Sequence, residues 1–440
     1  MNITFISPKQ HEKGLSGLYV FNRMPQLGIY RLASQTPKEW GAEVIDENIH
    51  EIDFTKKTDL VAISTITSLA PRAYRIADEY RKRGVPVIIG GIHASYCPDE
   101  AASHADSIFI GEADDEWVKV LEDFANNSLK KFYRAVAPPT DLRGEFLVEV
   151  PYNIPFISAP IIQTSRGCPI GCDFCSVSIF NGRKIRHRSI KKVVEEISLF
   201  FDKHKSRFRY LIFSDDNIVA DRDYAYKLFK ALEPLKLRWL SQADVRIGQD
   251  DELLEAAVKS GLTAVFMGLE TIEEDQLKEE ISSAKAIWSR KYQKLITKLH
   301  EFGVIIEAGF IFGLDSHNKD IFKTTVDWAI KNKIDIAQFS ILTPLPGTKL
   351  FERLEAEDRI IAKNNLGKYE WDKFTAAEVV FEPKNMSAKE LQQGLDWAYR
   401  YFYRYSSIIA RVGAKNHKKL LNYLATILVN FSFRKFKSRI

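Results

Sequence analysis

The sequence predicts an α/β protein built from two successive parallel-sheet domains and a helical C-terminal region. Three observations predict it. Short continuous apolar runs alternate with amphipathic segments twice along the chain. Glycines and small polar residues gather where those runs end. One compact group of cysteines directly follows the first run of the second series. Continuous apolar runs between helical patterns mark strands buried on both faces, as in parallel sheets covered by helices. With 440 residues, 45% of them hydrophobic and 28% charged, the chain has material for large cores. That composition excludes a disordered or fibrous protein.

Residues 1–126 carry the first series. Ile3–Ser7, Glu43–Asp46, Leu60–Thr65, Pro86–Gly91 and Ser107–Gly111 read as strands, and Gln26–Gln35, Pro71–Arg83 and Glu116–Ala125 as helices. This is a doubly wound, Rossmann-like domain, whose ligands bind beyond the carboxyl ends of its strands. Those ends carry Ser64, Thr65, Gly90, Gly91 and His93. Residues 127–158, with Pro138, Pro139, Pro151 and Pro155, read as an irregular linker. A second series occupies 159–350, with strands expected at 161–164, 210–213, 238–242, 264–269, 305–312 and 336–341. Six β/α units fit a partial TIM-type barrel with its active site at the carboxyl ends of the strands. Residues 351–440 are helical in pattern.

The N-terminus reads as a strand rather than a signal peptide, and no apolar run approaches the length of a membrane-spanning helix, about 18 residues or more. Four cysteines are too few for a secreted disulfide scaffold, so a cytoplasmic, reducing location is expected. The net charge of +5 is unevenly spread. No Asp or Glu follows Asp396, while ten Lys and Arg do, so a tail at +10 leaves −5 for the rest. Within that tail, Leu420–Phe433 is mostly apolar and flanked by basic clusters. Three readings stay open: a helix packed on the barrel with a solvated basic end; an interfacial helix that touches the inner membrane face or a lipid-like substrate; or an RNA-binding tail. The mild overall charge disfavours a nucleic-acid partner.

The cysteine segment reads Thr164-Ser165-Arg166-Gly167-Cys168-Pro169-Ile170-Gly171-Cys172-Asp173-Phe174-Cys175. Three thiolates on one short loop can cap three irons of a 4Fe-4S cube and leave the fourth open. Gly167 and Gly171 let the loop wrap a bulky core. A zinc site would need a fourth ligand, from Cys97 or a histidine, and the chain has no second Cys-x2-Cys pair.

This Cys-x3-Cys-x2-Cys loop, with Phe174 before its last cysteine, resembles the radical S-adenosylmethionine (SAM) superfamily. Downstream segments are similar to that family too. The resemblance implies that Ser214, Asp215 and Asp216 contact the SAM amino group and that Glu270 reaches the ribose. It implies that Gly309 and Gly313 border the adenine, with Gln242 and Arg246 as further polar candidates. Each has a structural alternative: a helix cap for Asp215 and Asp216, a lysine partner for Glu270, close packing for Gly309 and Gly313. Arg166 has one as well, a structural ion pair. The resemblance further implies a cluster held by Cys168, Cys172 and Cys175, reductive SAM cleavage to a 5′-deoxyadenosyl radical, and a reductant such as flavodoxin or ferredoxin.

A Rossmann-like domain ahead of such a barrel resembles the cobalamin-binding branch of the family. Gly90-Gly91-Ile92-His93-Ala94 and Gly111-Glu112-Ala113-Asp114-Asp115-Glu116 carry that likeness. Ser64, Thr65, Gly90 and Gly91 would line the corrin's lower face. No Asp-x-His-x-x-Gly occurs. Either cobalamin is bound without a histidine ligand or the domain is a degenerate remnant; His93 reads as a loop cap and Cys97 as structural. The tRNA-methylthiolating type, with three further N-terminal cysteines, does not match. The implied activity is methylation of an unactivated carbon in a small molecule, a lipid or isoprenoid on the strength of the tail. The alternatives are radical carbon–carbon bond formation, cyclisation or rearrangement, and, outside enzymes, an iron–sulfur redox sensor.

Overall fold

The computed structural model describes residues 1–9, 26–114, 116–136, 142, 160–204, 209–412 and 420–437. The first domain is a six-stranded parallel sheet of β1 (Asn2–Ser7), β2 (Gly41–Asp46), β3 (Leu60–Ser64), β4 (Val87–Gly90), β5 (Ser107–Ile110) and β6 (Phe132–Arg134), in the order β2-β1-β3-β4-β5-β6. The order reverses between β1 and β3, and at such a switch point the flanking loops diverge and open a crevice. β1, β3 and β5 are buried along nearly their whole lengths, which explains their unbroken apolar sequences. β6 comes from the stretch expected to be linker. Its three residues form an edge strand on β5, too short for an apolar run to announce it. The linker's four prolines lie outside the described residues.

The second domain opens with β7 (Ile161–Ile162). An antiparallel pair follows, β8 (Ser165–Arg166) and β9 (Arg186–His187), bracketing the cysteine loop. The remaining strands are β10 (Tyr210–Phe213), β11 (Arg238–Gln242), β12 (Leu262–Glu270), β13 (Ile305–Phe312) and β14 (Ile336–Ile341). With β7 they form a parallel sheet in the order β14-β13-β12-β11-β10-β7. β12 runs past its expected end, and its register with β13 breaks between Gly268 and Glu270, where Glu270 takes a left-handed φ of 65°. That irregularity re-aims the Glu270 side chain at the strand's carboxyl end.

The edge of β14 is closed by side chains. The helix Ala388–Phe402 starts at a capping box of Ser387 and Glu390 and lies along β14. Tyr399 accepts from Phe339 N (3.1 Å) and donates to Phe339 O (2.9 Å); Tyr403 does the same at Ala337 (3.1 and 2.9 Å). Two phenols one helical turn apart thus stand in for a missing strand. The last helix, Leu420–Lys437, also packs on the barrel. Buried Arg411 anchors it, donating to Ile334 O, Asp335 O, Phe402 O and Asn430 Oδ1. Among the described residues no helix is long and apolar enough to cross a membrane.

Tyr399→Phe strands a buried N–H and C=O of Phe339, so a loss of about 1–3 kcal/mol per unpaired group is expected in urea unfolding. An unchanged midpoint would show that β14 does not need this partner.

Candidate active site

The two domains meet across a buried ionic seam. Glu112 and Asp114 follow β5; Arg166 and Arg186 belong to β8 and β9. Arg166 Nη1 lies 2.6 Å from Glu112 Oε2 and 2.9 Å from Asp114 Oδ2, and Arg186 Nη2 lies 2.6 Å from Glu112 Oε1. Arg31, on the helix Leu27–Gln35, pairs with the other oxygen of Asp114. Burial alone would raise the Asp114 carboxyl, yet Arg166 and Arg31 hold it below its ordinary range. A second contact lies further along the interface. Trp371 Nε1 donates to Glu100 at 2.9 Å, and Gly347, at φ 82°, sits so close to Tyr96 that a Cβ would fall 2.2 Å from its ring.

One cavity of about 390 Å³ lies beyond β3, β4 and β5 at the switch point. Its walls include Ser64, Thr65, Gly90, Gly91 and Gly111 from the first domain and Gln163, Arg166, Asn181 and Ser214 from the second. Gly91 adopts φ 93°, and a Cβ there would meet Thr65 O at 2.6 Å. At the strand ends the wall is therefore backbone and small side chains, and apolar side chains such as Phe5, Ile88, Phe109 and Trp117 complete the lining. His93 does not line this cavity. It is buried in the short helix Ile92–Tyr96, with Nε2 3.0 Å from Tyr74 Oη and its ring edge-on to Trp371, so it serves the domain interface instead. The described lining includes no histidine.

A second cavity of about 220 Å³ opens at the carboxyl ends of β10–β14, lined by Cys168, Cys172, Cys175, Asp216, Gln242, Glu270, Lys285 and Gly309, among others. The cysteine loop is tied down by backbone. Gly167 (φ 100°) donates to Asp216 Oδ2 at 2.8 Å, Cys168 N donates to Gly182 O at 3.2 Å, and Cys175 N to Cys172 O at 3.0 Å. Asn181 also donates to Asp216, at 3.0 Å. A Cβ at Gly167 would meet Lys184 O at 2.5 Å. Burial pushes all three thiols up, Cys172 to about 12, so each parts with its proton only when a cation takes its place. Lys285 pairs with Glu270 and donates to Gly268 O at 3.1 Å. Burial opposes its charge, but Glu270 and Cys172 outweigh burial and raise it.

The residues expected from the sequence divide between several environments. Asp216, Gln242, Glu270 and Gly309 line the cysteine cavity, whereas Ser214 lines the first one. Asp215 lies behind both, accepting from Thr164 N (3.0 Å), Thr164 Oγ1 (2.7 Å) and Ser165 Oγ (2.5 Å). Arg246 is absent from the lining and instead clasps Asp244, at 2.6 Å. Gly313 packs against Leu391 and Phe381. Lys285, Asn181 and Arg166 were not expected as lining residues. Lys285 lies 15 residues beyond Glu270 on a helix with no motif around it; Arg166 sits inside the cysteine motif itself.

The profile of the radical SAM superfamily matches residues 162–329, and that of the B12 binding domain matches residues 20–121. The chain carries a radical SAM domain preceded by a B12 binding domain. Two relatives of Chlorobaculum tepidum, the bacteriochlorophyllide d C-12(1)- and C-8(2)-methyltransferases, are each 29% identical. The first alignment covers 94% of this chain and 89% of the relative, the second 90% and 89%. Among solved structures, the radical SAM methyltransferase TsrM from Kitasatospora setae, with tryptophan and a SAM analogue bound, superposes with a TM-score of 0.66 at 13% identity, covering 100% of this chain and 98% of that one.

The cofactors of this radical SAM chain are a 4Fe-4S cluster, SAM and cobalamin. Its residues fit them. Three free cysteines line one cavity, and three thiolates on one loop are the donor set of a 4Fe-4S cluster with one open iron, whereas a structural zinc site takes four ligands. A flat, amide-rimmed macrocycle fits a cavity that combines glycine and small hydroxyl residues at the strand ends with an apolar lining of Phe5, Ile88, Phe109 and Trp117.

Glu112→Ala leaves Arg166 and Arg186 without their shared carboxylate, and a loss of about 3–5 kcal/mol in denaturant unfolding is expected; a loss below about 1 kcal/mol would show that the seam is not a stability element. A second expectation concerns pH. Burial raises Asp215 from 3.8 to about 6, so the folded state holds this proton more tightly than the unfolded chain does. Stability from Asp215 is present below 3.8 and is lost as pH rises through 6. Compared with Asp215→Asn, the native protein should lose stability over that interval, and a pH-independent difference would refute the assignment.

Proposed function

We propose that this chain transfers a methyl group from SAM to an unactivated carbon of an apolar small molecule. The observation that carries the reading is the shared wall of the two cavities. Ser214 lines the first, Asp216 the second, and Asn181 lines the first while bonding Asp216. A single residue of chain, Asp215, separates the cobalamin side from the cluster side.

When bound, the cluster supplies the electron that cleaves SAM, and cobalamin carries the methyl group. The chain's own residues do the rest. Cys168, Cys172 and Cys175 would hold the cluster. Asp216, drawing in Gly167 N and the Asn181 amide, fixes the loop that presents them. Glu270 and Lys285 give the wall one anion and one cation, suited to ribose hydroxyls and a zwitterionic amino-acid head. Gln242 adds a neutral donor and acceptor, and Gly309 keeps β13 flat enough for a base to lie against it. Ser64, Thr65, Gly90 and Gly91 would receive the corrin. The substrate class follows from the relatives, whose names describe methylation of a tetrapyrrole; an isoprenoid or other lipid is the second class. A small reduced carrier such as flavodoxin or ferredoxin would deliver the electron.

The test is anaerobic reconstitution, with cobalamin content, 5′-deoxyadenosine and transfer of a deuterated methyl group read together. Bacteriochlorophyllide d and an isoprenoid lipid fraction serve as candidate acceptors. Methyl incorporation with 5′-deoxyadenosine is expected. An intact cluster without SAM cleavage would overturn the reading, and cleavage with an unmethylated, rearranged product would replace methyl transfer with bond formation or cyclisation. Cys172→Ala should lose the cluster's visible absorbance with unchanged circular dichroism; a full cluster in that variant would refute the ligand assignment.

A further inference from the structure

The C-terminal helix is inside out. Its buried face is largely polar: Asn422, Thr426 and Asn430, spaced four residues apart, face the barrel, followed by the buried ring of Phe433 against Tyr403. Asn422 donates to Gly303 O at 3.2 Å, and Asn430 donates to Asp335 O at 3.0 Å while accepting from Arg411. These bonds fix the helix's rotation. The opposite stripe, Leu424, Leu428 and Phe431, is thereby turned outward, with Leu428 64% exposed. The stripe continues onto the helix Tyr405–Arg411. Tyr405 lies 5.9 Å from the Phe431 ring, and Ile409, one turn further on, is 77% exposed. Soluble surfaces carry isolated apolar residues, but a contiguous stripe across two helices marks a contact surface.

Charge identifies what covers it. Arg434 stacks 3.8 Å over Tyr405, at the edge of the stripe. In sequence, Lys415, Lys418 and Lys419 precede the helix, Lys435 and Lys437 are among its last residues, Arg439 comes two residues later, and no acid follows Asp396. A second copy docked on this face would bring two such tails together against like charge. An apolar stripe with basic residues at both ends, too short to span a bilayer, suits the headgroup region of an anionic membrane.

We propose that the face formed by Tyr405, Ile409, Leu424, Leu428 and Phe431 docks the protein on an anionic lipid surface. This holds whichever substrate the enzyme methylates. The test is flotation of the full-length holoprotein with vesicles of phosphatidylcholine alone or mixed with phosphatidylglycerol. Binding to the anionic vesicles, about tenfold or more above that to neutral ones and weakened by salt, is expected. Ile409→Asp with Leu428→Asp should abolish it while cluster absorbance and 5′-deoxyadenosine formation persist. Should that pair disturb folding, Lys435→Gln with Lys437→Gln, which removes two charges and no apolar residue, should still weaken binding several-fold. Failure of the native protein to bind anionic vesicles overturns the proposal, as does equal binding by these variants. A dimer in light scattering that the aspartates dissociate would assign the face to a second copy and overturn it too.

Discussion

Two carboxylates, Glu112 and Asp114, facing Arg31, Arg166 and Arg186 are the constraint on which the rest of the molecule depends. Removing five charged groups from water is costly, and hydrophobic residues of similar size would often hold two domains together as well. What an apolar seam lacks is direction. Bidentate contacts from Arg186 to Glu112 at 2.6 and 3.0 Å leave little room for one domain to slide on the other. Arg166 and Arg186 belong to the two short strands that bracket the cysteine loop, so the clamp that joins the domains also sets where a cluster held by that loop would stand relative to the first cavity.

The cysteine loop repeats this economy on a smaller scale. Asp216 receives both Gly167 N and the Asn181 amide, and Arg186 also bonds Asn181 O at 2.6 Å. A path of direct contacts therefore runs from Glu112 through Arg186 and Asn181 to Asp216. On the far side of the cavity, Lys285 meets Glu270 only because the break in β12 turns Glu270 to a left-handed φ. Strain at one residue is held there by a buried ion pair.

Much of the fold is legible in the sequence because parallel strands buried on both faces must be continuous apolar runs; β10, β11, β13 and β14 fall where they are read. β6 escaped because an edge strand of Phe132, Tyr133 and Arg134 buries only its middle residue. The cysteine triplet is legible because thiolate spacing on a loop is local information. Lys285 is not, since its role exists only once β12 and a distant helix have packed. His93 was drawn to the wrong surroundings by the glycines beside it, and its partners Tyr74 and Trp371 lie far off in sequence. In the tail, packing on the barrel is one of the three readings left open by sequence, and what decides which face turns inward is not local: Asn422 and Asn430 find their partners only once Gly303 and Asp335 offer them carbonyls.

The tyrosine closure of β14 carries a lesson in commensurate lengths. Four residues of helix advance about 6 Å and two residues of strand about 6.6 Å. The two rulers agree closely enough for two phenols to reach two strand residues, but the mismatch grows with every further step. A third tyrosine would drift out of hydrogen-bond range. The next outward amide, Ile341 N, is met by a loop carbonyl instead, Ala376 O at 2.8 Å. Helix and strand act here as a vernier with a single coincidence: a slip of one residue would lose every contact together, so the helix Ala388–Phe402 has one place along the barrel edge and no neighbouring one.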